Sequence, residues 1–98
     1  TGLISAEFGN ASGPAFRRFV PPEYPLRARR EGLSGLVRLR VTLDEQGAVR
    51  HIEVLGNSPR ILTEAALESV RRSEFLPCIR NGKKSPCRTV IPMRFALD

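Results

Sequence analysis

Alternating apolar and polar residues mark two strands in the middle of the chain. In the segment 36–43 every second residue from Val37 to Leu43 is apolar, and the residues between them are arginine or threonine. This period of two predicts a strand with one buried face. A turn over 44–47 then reverses the chain into a second strand over 48–56, whose period slips near Arg50 and predicts a bulge there.

Two helices and a third strand complete the predicted elements. A short helix begins at Pro25, and a second follows Ser58 as its N-cap, with apolar residues at helical spacing over 62–70. Apolar residues alternate again over 88–97. The order helix, strand, strand, helix, strand predicts an α+β fold. We expect a three-stranded antiparallel sheet in the order second–first–third, with the last strand at an edge and both helices packed on one face.

The inward faces of these elements predict the hydrophobic core. Its members are the apolar residues that share one side of a strand or one stripe of the second helix. They are Val37, Leu39, Val41, Leu43, Ile52, Val54, Leu62, Ala66, Val70, Ile91, Met93 and Phe95.

The net charge of +6 bears on the partners that the domain can bind. Basic domains bind nucleic acid, anionic lipid or acidic proteins. Here the arginines are scattered over every predicted element, and the few aromatic residues are not interleaved with them as a stacking platform requires. Nucleic-acid binding is therefore not expected. The chain also has no apolar run near the about 18 residues that cross a bilayer.

The first sixteen residues differ from the rest of the chain. Residues 1–16 contain a single charged residue, Glu7, and are rich in small residues without a period. We predict a flexible linker, or residues added to the natural chain, over 1–16 and one folded domain over 17–98. Because the chain begins at Thr1 without a leader sequence, it is expected to be part of a longer protein.

Two cysteines, Cys78 and Cys87, enclose a short polar loop that contains the turn sequence Asn81-Gly82. Such a turn brings the two sulfurs together, so a disulfide is favoured over the alternative of two reduced, inert thiols. The bond would persist only in an oxidising compartment. With His51 as the only histidine, a structural zinc site is not expected.

The sequence carries no arrangement of residues typical of an enzyme. No serine lies at a motif spacing from a paired base, and no glycine-rich phosphate loop exists. Glu64 and Glu68 lie one turn apart on a helix face that also carries arginines, which indicates a solvated surface. We therefore expect neither catalysis nor a cofactor.

A series of residues from Tyr24 to Leu97 resembles one protein family. It begins with Tyr24-Pro25 and continues through isolated glycines, apolar alternation and a final Ile-Pro-Met-Arg-Phe segment. In full it reads Tyr24-Pro25, Ala28-Arg29, Gly32, Gly35, Val37, Leu39, Val41, Asp44, Gly47, Val49, Ile52, Val54-Leu55, Ser58-Pro59, Ala65-Ala66-Leu67, Val70-Arg71, Phe75, Pro77 and Val90 to Phe95. Together, at these spacings, they resemble the TonB C-terminal domain family.

The resemblance implies a periplasmic binding module of a TonB-type energy transducer. Such a domain would engage the TonB box of outer-membrane TonB-dependent transporters by adding it as a strand beside the last strand. It would transmit force from an inner-membrane complex of ExbB and ExbD, which act on a membrane anchor outside these residues. A homodimer through the same edge strand is a further arrangement that the resemblance allows.

The predicted partner-binding residues fall into two groups. Tyr24, Pro25, Arg27 and Arg29 belong to the first motif, where Tyr24 and Pro25 also have a structural role as core cover and helix start. Arg88, Val90, Pro92, Arg94 and Ala96 belong to the last strand. Because proline lacks an N–H, Pro92 predicts that Val90, Arg94 and Ala96 direct their N–H groups outward. The family often has tryptophan at the position of Ser73, so packing at that helix end is expected to differ.

Two alternatives use the same fold. A TonB-like envelope scaffold or assembly protein would use the same edge for a different partner. An anion-binding module would instead use Arg38, Arg40 and Arg94 as a basic stripe on the open face of the sheet.

Overall fold

The computed structural model describes residues 3–9 and 13–97 as ten short elements, two of them helices. The helices are α1 (Leu26–Arg30) and α2 (Arg60–Arg72). The strands are β1 (Ile4–Ser5), β2 (Ala15–Arg18), β3 (Gly35–Leu43), β4 (Val49–Leu55), β5 (Glu74–Leu76), β6 (Cys78–Arg80), β7 (Lys83–Ser85) and β8 (Cys87–Phe95). None of the helices in the described residues is long and apolar enough to cross a membrane.

The α+β prediction is confirmed. Strands β4, β3 and β8 form an antiparallel sheet with β3 in the centre, and the buried residues of both helices join the core on the inner face of the sheet. The predicted bulge is also present. Thr42 pairs with His51 and Leu43 with Val49, so Arg50 is the extra residue.

The sequence predicts that the last strand is a free edge of the sheet. In the structure, β8 is free along only part of its length. Strand β1 pairs in parallel with the start of β8, where Ile4 lies opposite Cys87 and Ser5 opposite Arg88. The edge of β8 beyond Arg88 has no paired strand in the described residues.

Parts of the predicted linker contact the domain. Strand β2 pairs with β5, and the ring of Phe16 lies 5.1 Å from that of Phe75 and 4.9 Å from that of Phe8. The division of the chain at residue 16 stays a prediction.

The predicted core is buried, apart from its members on β4. Ile52 is only half-buried, and Val54 is 41% exposed. Both lie opposite core residues of β3, but β4 is the outer strand of the sheet and its inner face has fewer neighbours to cover it. Ala28, Phe75 and the two cysteines join the core in addition.

The N-cap of α2 also differs from the prediction. Pro59 occupies the cap position, with extended backbone angles and no side-chain cap bond. The Ser58 hydroxyl instead lies 2.7 Å from the hydroxyl of Thr63. The apolar stripe of the helix is buried as predicted, at Leu62, Ala66 and Val70.

The turn between β3 and β4 depends on Asp44 and Gly47. The Asp44 carboxylate accepts hydrogen bonds from the N–H groups of Gln46 and Ala48 and from Arg50. These bonds, that from Ala48 foremost, lower the pKa of Asp44. Gly47 has a φ of +82° and packs against the Phe75 carbonyl oxygen, leaving no room for a Cβ atom.

We therefore expect Gly47→Ala to lower the free energy of unfolding by about 2–4 kcal/mol, since it adds a steric clash to the cost of a left-handed backbone. Gly32→Ala is the matched control, because Gly32 has a φ of +67° and open space at its Cβ position. Its free energy of unfolding should fall only by the cost of a left-handed backbone at alanine, about 1–2 kcal/mol. Urea unfolding of both variants measures the difference, and equal losses would contradict a clash at Phe75.

The predicted disulfide is confirmed. Cys78 and Cys87 are bonded, with their Cα atoms 6.1 Å apart, and both are fully buried. Between them β6 and β7 form a hairpin whose turn, Asn81-Gly82, has positive φ at both residues. Loop closure of this length stabilises a domain by about 2–3 kcal/mol.

Reduction should lower the unfolding free energy by that amount, about 2–3 kcal/mol. The measurement is urea unfolding with and without reductant. Intact mass after alkylation of the folded, non-reduced protein should show no modified thiol, and two alkylated thiols would contradict the bond.

Candidate functional site

The outer edge of β8 has a defined alternation of main-chain groups. The Ala6 N–H donates to the Arg88 carbonyl oxygen at 2.9 Å, on the flank of β8 that faces β1. In a strand the N–H and C=O of one residue share a flank, and the flank alternates from residue to residue. The pairing of β8 with β3 runs without a register shift. Val90, Pro92 and Arg94 therefore face outward.

This is the phase that Pro92 predicts. Pro92 lies opposite Arg38 of β3, where its missing N–H leaves no bond of the ladder unmade. Ile91 and Met93, on either side, direct their N–H groups toward β3. The outward edge thus offers N–H and C=O groups at Val90 and Arg94 with only a carbonyl between them.

Strand β1 covers the start of this edge, and the residues at its other end are exposed. The Arg88 carbonyl is already occupied by Ala6, so Arg88 does not present that acceptor to a partner. Ala96 lies beyond the end of β8 and is exposed. Val90, Pro92 and Arg94 also have exposed side chains, on the face of the sheet away from the helices.

Arginines of the predicted basic stripe share this open face. Arg38 lies opposite Pro92, and Arg40 opposite Val90. Arg40 forms an ion pair with Glu53 of β4 at 3.4 Å, so part of its charge is neutralised. Within the described residues no ion pair involves Arg38 or Arg94.

Tyr24 links the first motif to the end of β8. Its ring packs edge-on against Phe95, with centroids 5.5 Å apart, and its hydroxyl donates to the Leu33 carbonyl oxygen. The guanidinium carbon of Arg29 lies 5.1 Å from the centre of the Tyr24 ring. Tyr24 and Arg29 therefore lie near the Phe95 end of the edge, whereas Arg88 lies at the other end.

Pro25 and Arg27 have other surroundings. Pro25 is the N-cap of α1 and lines a groove of about 450 Å³ beside α2. Arg27 is exposed and bonds to Glu31 at 2.8 Å, which raises the pKa of its guanidinium. Tyr24 has the packing role that the sequence predicts, whereas Pro25 lies one residue before the start of α1, as its N-cap. Contact with a partner stays a prediction for all nine residues.

No metal site accompanies this edge in the described part of the chain, which holds no cluster of three or more His, Cys, Asp or Glu side chains suited to an ion. The edge itself presents main-chain hydrogen-bonding groups at Val90 and Arg94, and the side chain of Arg94 is exposed beside them.

Comparison with known proteins identifies the family. A family model described as Gram-negative bacterial TonB protein C-terminal matches residues 20–97. The chain belongs to this family. Protein TonB of Xanthomonas campestris pv. campestris is 38% identical over 94 residues, which cover 95% of this chain and 42% of that protein. Protein TonB of Vibrio cholerae is 36% identical over 80 residues, which cover 81% of this chain and 33% of the relative.

A solved structure shows the same fold. The solution NMR structure of the Pseudomonas aeruginosa TonB C-terminal domain superposes with a TM-score of 0.75 at 25% identity, and the match covers 93% of each chain. The chain spans less than half the length of the TonB proteins described above. It therefore corresponds to one part of such a protein.

Two buried serines of this TonB C-terminal domain make hydrogen bonds that the sequence analysis did not predict. Ser69 donates to the Val20 carbonyl oxygen, and Ser73 accepts from the Val20 N–H at 2.9 Å. The Ser73 hydroxyl also donates to the Ser69 carbonyl oxygen. These bonds attach the extended segment before Tyr24 to the end of α2. The helix end around Ser73 is therefore packed around a polar contact. In the sequence, this contact is signalled by the serines that interrupt the apolar stripe of α2.

Proposed function

We propose that this TonB C-terminal domain binds the TonB box of outer-membrane TonB-dependent transporters as an added strand along β8. The observation that carries the proposal is the outer edge of β8 beyond Arg88. It is regular, it lacks a paired strand in the described residues, and Val90 and Arg94 direct main-chain groups away from the sheet. Main-chain pairing of this kind gives affinity with little demand on the partner's sequence.

The pairing of β1 supports the proposal. The chain's own Ile4–Ser5 segment lies beside Cys87 and Arg88 in parallel, so this edge is compatible with an added strand. A transporter peptide would pair with β8 beyond Arg88, where the pairing with β1 ends. Arg94, and Arg29 near the Tyr24 ring, would then lie beside the peptide and favour acidic residues on the transporter.

Membership of the TonB C-terminal domain family supports a larger role. The domain would lie in the periplasm, as part of a protein anchored in the inner membrane, and would pass force from ExbB and ExbD to the transporter. This role is binding and mechanical transmission, and it requires no catalysis. A second copy could pair along the same edge, in which case a homodimer would compete with the transporter peptide.

Titration with a TonB-box peptide tests the proposal. A few net hydrogen bonds of about 0.5–1.5 kcal/mol each, less the cost of ordering the peptide, give a Kd on the order of micromolar. The matched control is the same peptide with N-methyl groups on alternate residues, in the two possible phases. One phase should abolish binding and the other should retain most of it.

Salt dependence separates main-chain pairing from anion binding by Arg38, Arg40 and Arg94. Pairing should change the Kd little between low and high salt, whereas neutralising phosphates changes log Kd by about one unit per log unit of salt for each phosphate. Steep salt dependence, or equal effects of the two N-methyl phases, would contradict the proposal. A folded domain that binds no TonB-box peptide would favour the envelope-scaffold alternative.

A further inference from the structure

Most of the net charge of this chain lies in its last quarter. Residues 75–97 contain five Lys and Arg and no Asp or Glu, so they contribute +5 of the total of +6. Three of these cations, Arg80, Lys83 and Lys84, lie within five consecutive positions. The charge is therefore concentrated around the β6–β7 hairpin and β8.

The hairpin places its cations close together without neutralising them. Arg80 lies directly opposite Lys83 on one face of the hairpin, and Ile79 lies opposite Lys84 on the other face. Like charges in directly opposed positions destabilise a strand pair. All three cations are exposed, and within residues 3–9 and 13–97 none of them takes part in an ion pair. Because an anion between these cations would reduce their repulsion, the hairpin is suited to an anionic partner.

The disulfide fixes where the cations are presented. Cys78 begins β6 and Cys87 begins β8, so the bond ties the base of the hairpin to the central sheet. Both sulfurs belong to the buried core. The tip, by contrast, consists of the exposed turn Asn81-Gly82. The hairpin is thus a short projection with a fixed base and a cationic tip.

Apolar side chains beside the cations indicate the type of anionic partner. Ile79 is 42% exposed and Leu76 is 47% exposed. Cations interleaved with exposed apolar side chains suit the headgroup region of a membrane, where the charges meet phosphates and the apolar groups meet the acyl boundary.

We propose that the β6–β7 hairpin is a docking site for a lipid surface that carries anionic phosphate headgroups. Arg80 and Lys83 on one face of the hairpin and Lys84 on the other bind the headgroups, and Ile79 enters the interface beside Lys84. The site does not include the outward groups of Val90 and Arg94, so it is independent of peptide binding at the β8 edge.

Vesicle sedimentation tests the site. The probes are vesicles of phosphatidylglycerol and phosphatidylcholine in equal parts, and vesicles of phosphatidylcholine alone. Each cation near an anionic surface raises the partition coefficient onto the vesicles about fivefold. The partition coefficient of a variant with Arg80→Gln, Lys83→Gln and Lys84→Gln should therefore fall on the order of 100-fold. Wild-type protein should not bind phosphatidylcholine alone.

A charge-matched variant is the control. Arg17→Gln, Arg30→Gln and Arg71→Gln remove the same net charge from exposed positions outside the last quarter of the chain. The partition coefficient of this variant should fall less than about tenfold, since the charges that it removes lie farther from the lipid. Equal losses in the two variants, or binding that does not need phosphatidylglycerol, would overturn the site.

A tryptophan reporter tests the insertion of Ile79 with the cations intact. The chain has no tryptophan, so Ile79→Trp gives a single fluorophore at the hairpin, and Val54→Trp gives one at the exposed outer strand β4. Anionic vesicles should shift the emission of Ile79→Trp to the blue and leave that of Val54→Trp unchanged. No shift at Ile79, or equal shifts at both positions, would overturn the proposal even if the triple variants fail to fold.

Discussion

Phe95→Ala should lower the free energy of unfolding by about 3–5 kcal/mol. Phe95 is the last residue of β8, is only 3% exposed, and packs edge-on against Tyr24. Its removal would leave a cavity between the sheet and the segment that starts α1, and the Tyr24 ring would lose its aromatic partner. Domains of this size are stable by about 5–15 kcal/mol, so the loss is a large fraction of the total.

Urea unfolding at equilibrium measures this loss. Leu97→Ala is the matched control, because Leu97 also lies near the end of the chain but is 37% exposed and outside β8. It should lose less than about 1 kcal/mol. Equal losses of stability at both positions, or a Phe95→Ala variant as stable as wild type, would show that the buried face of β8 is assigned to the wrong residues.

Met93→Pro should prevent folding, whereas Arg94→Pro should leave the domain folded and weaken peptide binding. Met93 lies opposite Val37 and directs its N–H toward the central strand. A proline there removes a bond of the ladder and introduces its ring between two strands. The N–H of Arg94 points away from the sheet, so proline removes only a donor that the peptide would use.

Circular dichroism and peptide titration together check this pair. The adjacent positions share the same strand and the same substitution, so the difference isolates the direction of one N–H group. A folded Met93→Pro variant beside an unfolded Arg94→Pro variant would invert the phase of the edge and contradict the mode of docking with it.

Regular periodicity made the sheet predictable from the sequence. The unbroken alternation from Val37 to Leu43 has one interpretation, because shifting it by one residue would expose every apolar side chain. The slip in period near Arg50 identified the bulge for the same reason. The turn at Asn81-Gly82 placed the two cysteines together, since this dipeptide adopts the positive φ angles that a tight hairpin needs.

Features that depend on distant contacts were not predictable. Val54 continues the apolar pattern of its strand, yet its exposure is set by the position of β4 at the outside of the sheet. The pairing of Ile4–Ser5 with β8 rests on main-chain bonds, which leave no trace in the pattern of a short segment. Ser73 contacts a residue 53 positions away, and nothing in the local sequence names that partner.

The candidate site was predictable in part. Pro92 gave the direction of the main-chain groups along β8, because proline restricts which flank can face a neighbouring strand. The occupation of the Arg88 carbonyl by Ala6 could not be foreseen, and it shortens the edge that a partner can use. The packing of Tyr24 on Phe95, which joins the two predicted groups of residues, became visible only in three dimensions.

Residue-resolved amide hydrogen exchange with and without a TonB-box peptide tests the central claim most directly. In the free domain the outward amides of Val90 and Arg94 should exchange rapidly, and those of Ile91 and Met93 slowly. The peptide should slow exchange at Val90 and Arg94 and leave Ile52 and Val54, whose amides face outward on the opposite edge, unchanged. Protection that arises on β4 instead, or peptide binding without protection at Val90 and Arg94, would contradict strand addition to β8.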